Sequence, residues 1–291
     1  MMKKSFFIIV VLCFNFSAHL YSQVTVVEDS LFSPSIKSTM KFYAVLPNGY
    51  AKSHERYTTI YLLHGSGGDY TNWVKLTDLV RYAREYNFII ITPDGKNSWY
   101  SNSIVMQNAH YEDYIVKDLI PHVDKKYRTL QSKFSRAVAG LSMGGYGAAK
   151  FGLKYPGQFF FAGCLSPAIQ FPYGMEDSTI VLRRSKEMMK SIADMFGTVR
   201  HESWTANDVF MLAEKANSKS LTYFYLSVGS QDRITEIIDL THKFAGTLRR
   251  QGVPFEMHET TGGHDWEFWD REIEIVLHRI AELSGKKKIR Q

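Results

Sequence analysis

A serine hydroxyl attacks a carbonyl only when a base takes its proton, and that base needs a third group to hold its tautomer. Ser142 lies in the run Gly140-Leu141-Ser142-Met143-Gly144, followed by Gly145. This G-x-S-x-G spacing is that of a nucleophile elbow, in which the serine sits in strained backbone between a strand and a helix. Flanking glycines let those two elements approach closely. A chain of 291 residues contains the pattern by accident roughly 0.1 times at ordinary Gly and Ser frequencies. The context therefore decides: "SRAVAG" before the serine reads as a strand, and "GGYGAAKFGLKYP" after it reads as a helix ending at a proline. The competing reading is a tight turn with a bystander serine.

In this strand–turn–helix architecture the partners follow in the order acid, then histidine. They belong in loops at the carboxyl ends of later strands, where open α/β sheets place their sites. "YFYLSVGSQDRI" ends a strand and offers Asp232; "FEMHETTGGHDWEFW" ends the next and offers His264 after two glycines. The competitors are worse placed. His258 lies inside a strand-like run, His278 on the last helix, and His54 and His201 in polar stretches. Asp239 is inside a helix, and Asp265 adjoins His264 too closely to orient its ring.

Acyl chemistry also builds negative charge on the carbonyl oxygen, and each preorganised N–H aimed at it is worth about 3 kcal/mol in the transition state. The N–H after the nucleophile belongs to Met143. A second is expected from the early strand-to-helix loop "LLHGSGGDYTNW", at Ser66. A phosphate-cradling role for that loop fails because no Lys-Ser/Thr follows its glycines. Trp99 and Tyr100, after a strand end, and Glu112, at a helix start, are candidates for substrate binding; loop packing and helix-terminus charge are their plain alternatives. Trp266 and Trp269 are expected to pack the final helix. Met175, Met188, Met189 and Met195 either wall the acyl side or fill core.

The elements that must carry these residues are legible as runs. "KFYAVLP" (41–47) alternates like a half-exposed strand. "TTIYLLHG" (58–65), "NFIIITPDG" (87–95), "SRAVAGLS" (135–142), "QFFFAGCLS" (158–166), "LTYFYLSVG" (221–229) and "PFEMHET" (254–260) complete the set. Continuous apolar runs of this length suit strands buried on both faces. Helical patterns lie between them: "NWVKLTDLVRYAREY", "YEDYIVKDLIPHVDKKY" with a bend expected at Pro121, the segment after Ser142, "EIIDLTHKFAGTLRRQG" and "EFWDREIEIVLHRIAELSG". Strand alternating with helix predicts an α/β fold with a mostly parallel central sheet and helices on both faces. Residues at about 167–220 read as a helical insertion between two late strands, within one catalytic domain spanning 23–285.

Hydrophobic residues at 45% and charged residues at 22% allow a sizeable core. Lys3 and Lys4, the apolar run "FFIIVVLCFNF" and a polar stretch to Ser22 read as a signal peptide over 1–22, so a secreted or periplasmic protein is expected, with no membrane attachment after cleavage. The formal charge of +6 falls by the two lysines of that segment. No Lys/Arg stripe appears outside the basic tail 286–291, so no nucleic-acid partner is expected. Cys164 then stands alone, giving no intrachain disulfide and no cysteine metal site, and its apolar surroundings make it a buried small hydrophobe.

Together, "FSPSIKSTMKFYAVLPNGY", "IYLLHGSGGDYTNW", "TPDGKNSWY", "YEDYIVKDLIPHVDKKYRT", "GLSMGGYGA" and "GGHDWEFW" resemble the esterase D family of α/β-hydrolases, most closely its secreted feruloyl-esterase-like branch. The resemblance implies a triad of Ser142, Asp232 and His264 with oxyanion donors at Ser66 and Met143, in agreement with the residue-level reading. It implies a serine carboxylic ester hydrolase working through an acyl-enzyme, with no metal or cofactor, on feruloyl or acetyl esters of plant cell-wall polysaccharide. The alternatives are an acyltransferase to a sugar, an S-formylglutathione-type thioester hydrolase, or a carbohydrate-binding protein without turnover on the same scaffold.

Overall fold

Apolar side chains that alternate between two faces need a layer of helices on each, and the strands here carry that pattern. The computed structural model describes residues 24–216 and 222–285; the expected signal peptide and the basic tail lie outside the described residues. The strands are β1 (Thr25–Ser33), β2 (Ser38–Leu46), β3 (Thr58–Leu63), β4 (Phe88–Pro93), β5 (Arg136–Leu141), β6 (Phe161–Leu165), β7 (Tyr223–Gly229) and β8 (Phe255–Thr260). They form one sheet in the order β1-β2-β4-β3-β5-β6-β7-β8. β1 and β2 pair antiparallel, as do β2 and β4, and all later pairs are parallel. This is the α/β-hydrolase fold.

Every residue of β3, β4, β5 and β6 is buried, as continuous apolar runs require. Along β3, Tyr61 and Leu63 face one core while Ile60 and Leu62 face the other. The first core is closed by residues 111–126, α5 (Met143–Lys154) and α10 (Thr235–Arg250); the second by α1 (Asn72–Leu76), α2 (Leu79–Ala83) and α11 (Trp266–Leu283). β1 is a strand the sequence reading did not contain.

Two predicted helices differ in detail. Residues 72–86 are not one helix but two, because Thr77 is extended (φ −139°, ψ 168°). Its hydroxyl donates to the Trp73 carbonyl, and the next N–H, of Asp78, donates to Asp270 on α11 at 2.7 Å. The bend expected at Pro121 is taken up upstream. α3 (Tyr111–Asp113) runs into a wide π-type turn, Tyr114–Leu119, before α4 (Ile120–Lys126). Proline has no N–H to give and its ring crowds the carbonyl four residues back, so widening the turn accommodates both faults.

Between β6 and β7 lie α6 (Ser178–Leu182), α7 (Lys186–Phe196), α8 (Glu202–Asn207) and α9 (Val209–Lys215). Trp204 is buried and donates to the Phe196 carbonyl at 2.7 Å. Tyr146 on α5 donates to the Asn207 carbonyl at 2.7 Å, which fastens the insertion to the helix that follows Ser142.

Candidate active site

Parallel strands deliver their carboxyl ends to one edge of the sheet, and the candidate residues follow four of those ends. Ser142 follows β5 and caps α5 with φ 51° and ψ −115°, a conformation that side chains other than glycine rarely take. Neighbours hold it there: its N–H donates to the Leu165 carbonyl at 2.9 Å, and its carbonyl accepts from Ala168 at 3.1 Å. A Cβ on Gly144 would stand 2.4 Å from the Leu63 carbonyl oxygen. Only glycine lets α5 start this close to β3.

His264 follows β8 and Asp232 follows β7. The two loops touch, since a Cβ on Gly229 would lie 2.3 Å from the Gly262 carbonyl oxygen. His264 Nδ1 is 2.8 Å from Asp232 Oδ2, and its Nε2 is 3.0 Å from Ser142 Oγ. A carboxylate only accepts, so Nδ1 carries the proton and Nε2 faces the serine hydroxyl as an acceptor. The other carboxylate oxygen of Asp232 accepts the Ile234 N–H at 2.8 Å, which fixes its rotamer. The Trp269 ring stands edge-on to the imidazole at 5.0 Å, and its indole N–H donates to Ser166 Oγ at 3.3 Å. A proton route from Oγ to a base held by a buried acid is therefore assembled.

Met143 opens α5, where the first N–H groups have no intrahelical acceptor. Ser66, in the loop after β3, lines the cleft that also contains Ser142. That loop is tied down twice. His64, 1% exposed, donates from Nδ1 to the Gly65 carbonyl and accepts the Gly95 N–H at Nε2, both at 2.8 Å. Asn97 Oδ1 accepts the Gly67 N–H at 2.7 Å and the Ser66 hydroxyl at 3.2 Å. Asp94 lies 3.8 Å from His64 Nε2, beyond a hydrogen bond. Burial would raise Asp94, but the Lys96 ammonium at 2.7 Å and the Lys96 N–H at 3.0 Å outweigh it and hold the carboxyl down to about 2. Sequence reading did not find His64 or Asn97 as supports; position beside the loops was the signal for both.

The cleft over Ser142 and His264 measures about 570 Å³ and is walled by Leu76, Met188, Ile234, Trp266 and Trp269, with Arg233 and Asp265 as its charged residues. Trp266 and Trp269 thus do more than pack α11, although they also pack there, ring against ring at 5.3 Å. Of the insertion methionines, Met188 walls the cleft while Met195 is core.

Trp99, Tyr100 and Glu112 do not reach this cleft. Trp99 and Tyr100 have φ values of 54° and 48°, which turn both rings inward, and neither has exposed surface. Trp99 donates to Ser191 Oγ at 3.1 Å and packs on Tyr146 and Phe171. Tyr100 donates to the His64 carbonyl at 3.1 Å, so it supports the loop that carries Ser66 from behind. Glu112 is sealed against Lys150, at 3.1 Å, and Lys154, at 2.5 Å. Cys164 is buried as expected, and burial pushes its thiol up.

Comparison with known proteins gives concordant matches. The Esterase family model ("Putative esterase") matches residues 33–279. The acetyl esterase of Caldicellulosiruptor saccharolyticus is 24% identical over 270 residues, covering 90% of this chain and 100% of that protein. Substrate-bound FphF, a fluorophosphonate-binding serine hydrolase of Staphylococcus aureus, superposes with a TM-score of 0.77 at 25% identity, over 90% of this chain and 99% of that one. A ferulic acid esterase superposes with a TM-score of 0.75 at 25% identity, over the same 90% and 99%.

Proposed function

The chain belongs to the Esterase family, with esterase D-like and feruloyl-esterase-like neighbours, and is a carboxylic ester hydrolase; from that premise we propose that Ser142, His264 and Asp232 carry out the hydrolysis through an acyl-enzyme. Ser142 Oγ attacks the ester carbonyl while His264 Nε2 takes its proton, and Asp232 stabilises the imidazolium that forms. The oxyanion is met by the N–H groups of Met143 and Ser66. His264 returns its proton to the alkoxide as the alcohol leaves. Water, deprotonated by the same nitrogen, then adds to the acyl carbonyl and releases the acid with Ser142 restored. The observation that carries this reading is the unbroken contact from Ser142 Oγ through both imidazole nitrogens to a buried carboxylate, beneath an open cleft.

The substrates are acetyl or feruloyl esters of plant cell-wall polysaccharide, met outside the cell after residues 1–22 have directed export and been removed. Support for this class comes from the acetyl and ferulic acid esterases among the similar proteins and from a cleft wall of two tryptophans, suited to ring faces.

The test has two parts. A fluorophosphonate probe labels folded wild type and not Ser142→Ala, and p-nitrophenyl acetate releases a burst of p-nitrophenol stoichiometric with enzyme. A panel of methyl ferulate, acetylated xylan and S-formylglutathione then reads the substrate class. Turnover of S-formylglutathione alone overturns the polysaccharide assignment, and absence of labelling overturns the nucleophile.

A further inference from the structure

An ester is neutral at its reacting centre, so a charge on the cleft wall acts on some other part of the substrate. Arg233 and Asp265 are the formally charged residues lining the cleft. Asp265 is occupied: its Oδ1 caps α11 by accepting the Phe268 N–H at 2.9 Å, and the positive end of that helix offsets its charge. Arg233 is different. It is exposed, follows the buried Asp232 directly, and pairs with no carboxylate among the described residues. Asp232 itself is taken up by His264 and the Ile234 N–H, and the next acid along the segment, Glu236, is already held by Arg183 and Arg184 at 3.2 and 3.4 Å.

Resting on the esterase reading above, we infer that Arg233 is a specificity determinant that selects esters carrying a carboxylate near the scissile bond. A guanidinium presents a planar fork of donors that matches a carboxylate two bonds at a time, and it stays charged at every working pH. Its backbone is anchored through the neighbouring Asp232, which donates its N–H to the Gly229 carbonyl at 3.0 Å. The fork therefore starts from a fixed point beside the reacting atoms. The apolar wall of Leu76, Ile234 and Trp266 keeps the rest of the substrate in place and lowers the local dielectric, which strengthens the pairing. An acidic sugar or an aromatic acid on either side of the ester bond fits this chemistry.

The test uses two matched ester pairs, one for each side of the bond. On the alcohol side, 4-acetoxybenzoate is compared with 4-acetoxybenzamide; on the acyl side, mono-p-nitrophenyl glutarate is compared with p-nitrophenyl valerate. For at least one pair, wild type favours the anion in kcat/KM by about tenfold over its preference in Arg233→Gln, and Arg233→Glu favours the neutral ester. Arg233→Lys keeps only part of the preference, because it keeps the charge and loses the fork. Raising ionic strength from about 0.01 M to about 1 M shrinks the wild-type preference, as the screening length falls from about 30 Å to about 3 Å. Equal anion-to-neutral ratios in wild type and Arg233→Gln for both pairs overturn the inference while leaving the esterase reading intact. Failure of folded wild type to cleave any of the four esters overturns both.

Discussion

Helix α5 carries a polar cluster at each end, and the two are built from the same kinds of group for opposite ends. At its N-terminus Ser142, His264 and Asp232 stand in line beside an open cleft. Toward its C-terminus Lys150 is fully buried, with Glu112 at 3.1 Å and hydrogen bonds to the Tyr100 carbonyl (2.8 Å), Ser101 Oγ (2.6 Å) and Asn207 Oδ1 (3.2 Å). Glu112 in turn holds Lys154 and accepts the Tyr155 hydroxyl at 2.6 Å. In the sealed cluster charge meets charge and the donors find acceptors. In the open cluster one hydroxyl is left on strained backbone with a base beside it. A paired cluster of this kind fixes geometry; an unfinished one can do chemistry. Lys150 also joins α5 to residues 100–101 and to the insertion, so the sealed cluster braces the helix on which the open one depends.

The largest effect separates the clusters by kind of readout. Ser142→Ala lowers kcat/KM by about 10⁴- to 10⁶-fold, with the denaturation midpoint unchanged, since alanine meets the same unfavourable φ of 51°. Ser142→Gly is equally inactive but more stable by roughly 1 kcal/mol, because glycine relaxes that conformation. Urea melts beside an ester assay check both. A midpoint that falls in Ser142→Ala would mean that the hydroxyl is structural.

Glu112→Gln reverses the pattern. It leaves the Lys150 ammonium buried without its counter-charge, and breaking one side of such a pair costs about 3–5 kcal/mol. The Glu112→Gln/Lys150→Met double variant is less destabilised than Glu112→Gln alone, because the orphaned charge is gone. Urea melts read the difference, and the KM of the folded fraction stays at the wild-type value. A double variant less stable than the single would show that the pair itself, not the avoidance of a lone charge, supplies the stability.

The first of these clusters was legible in the sequence and the second was not, for a physical reason. Ser142, Asp232 and His264 each follow a strand-like apolar run, and chain order plus loop position places them on one edge of a parallel sheet. Glu112 begins a helix, a position that normally faces water, so its sequence setting argued for an exposed role in the cleft. Its burial is decided by Lys150, some forty residues later. Only the interruption of the apolar stretch "GGYGAAKFGLKYP" by a lysine hints at that partner. Trp99 and Tyr100 misled in the same way, since positive φ values at bulky residues cannot be read from composition. β1 escaped notice because Glu28 and Asp29 interrupt its apolar pattern, and only Leu31 and Ser33 of the strand are buried. Patterns that repeat along the chain are visible in one sequence; pairings between distant charges are not.

Acid separates the clusters less severely than mutation does. Burial alone would raise the Glu112 carboxyl, but the ammonium groups of Lys150 and Lys154 hold it down to about 2, against an ordinary 4.5. A depressed folded-state pKa gives stability that is fully present above the unfolded value and disappears as pH falls through the folded one. The contribution is about 3 kcal/mol, complete above pH 4.5 and lost toward pH 2. Glu112→Gln lacks this component, so its urea midpoint falls less steeply than that of wild type across the window. Parallel curves would place the acid sensitivity elsewhere.

The smallest effect tests whether the two clusters communicate. Tyr155→Phe removes one of the donors on Glu112 Oε1 and leaves Lys154 on the same oxygen. Tyr155 is half-buried, so water can take the vacated place, and the loss is about 1 kcal/mol, below the usual range for a bond to a charged group. Because the hydroxyl favours the carboxylate form, its removal raises the Glu112 pKa and moves the acid destabilisation to higher pH. Ester turnover at neutral pH stays within about twofold of wild type, since at that pH Glu112 is ionised with or without the tyrosine and Lys150 keeps its partner. A kcat loss well beyond this, without a change in KM, would show that α5 transmits small displacements from its braced end to Ser142, and that the sealed cluster tunes the open one as well as holding it in place.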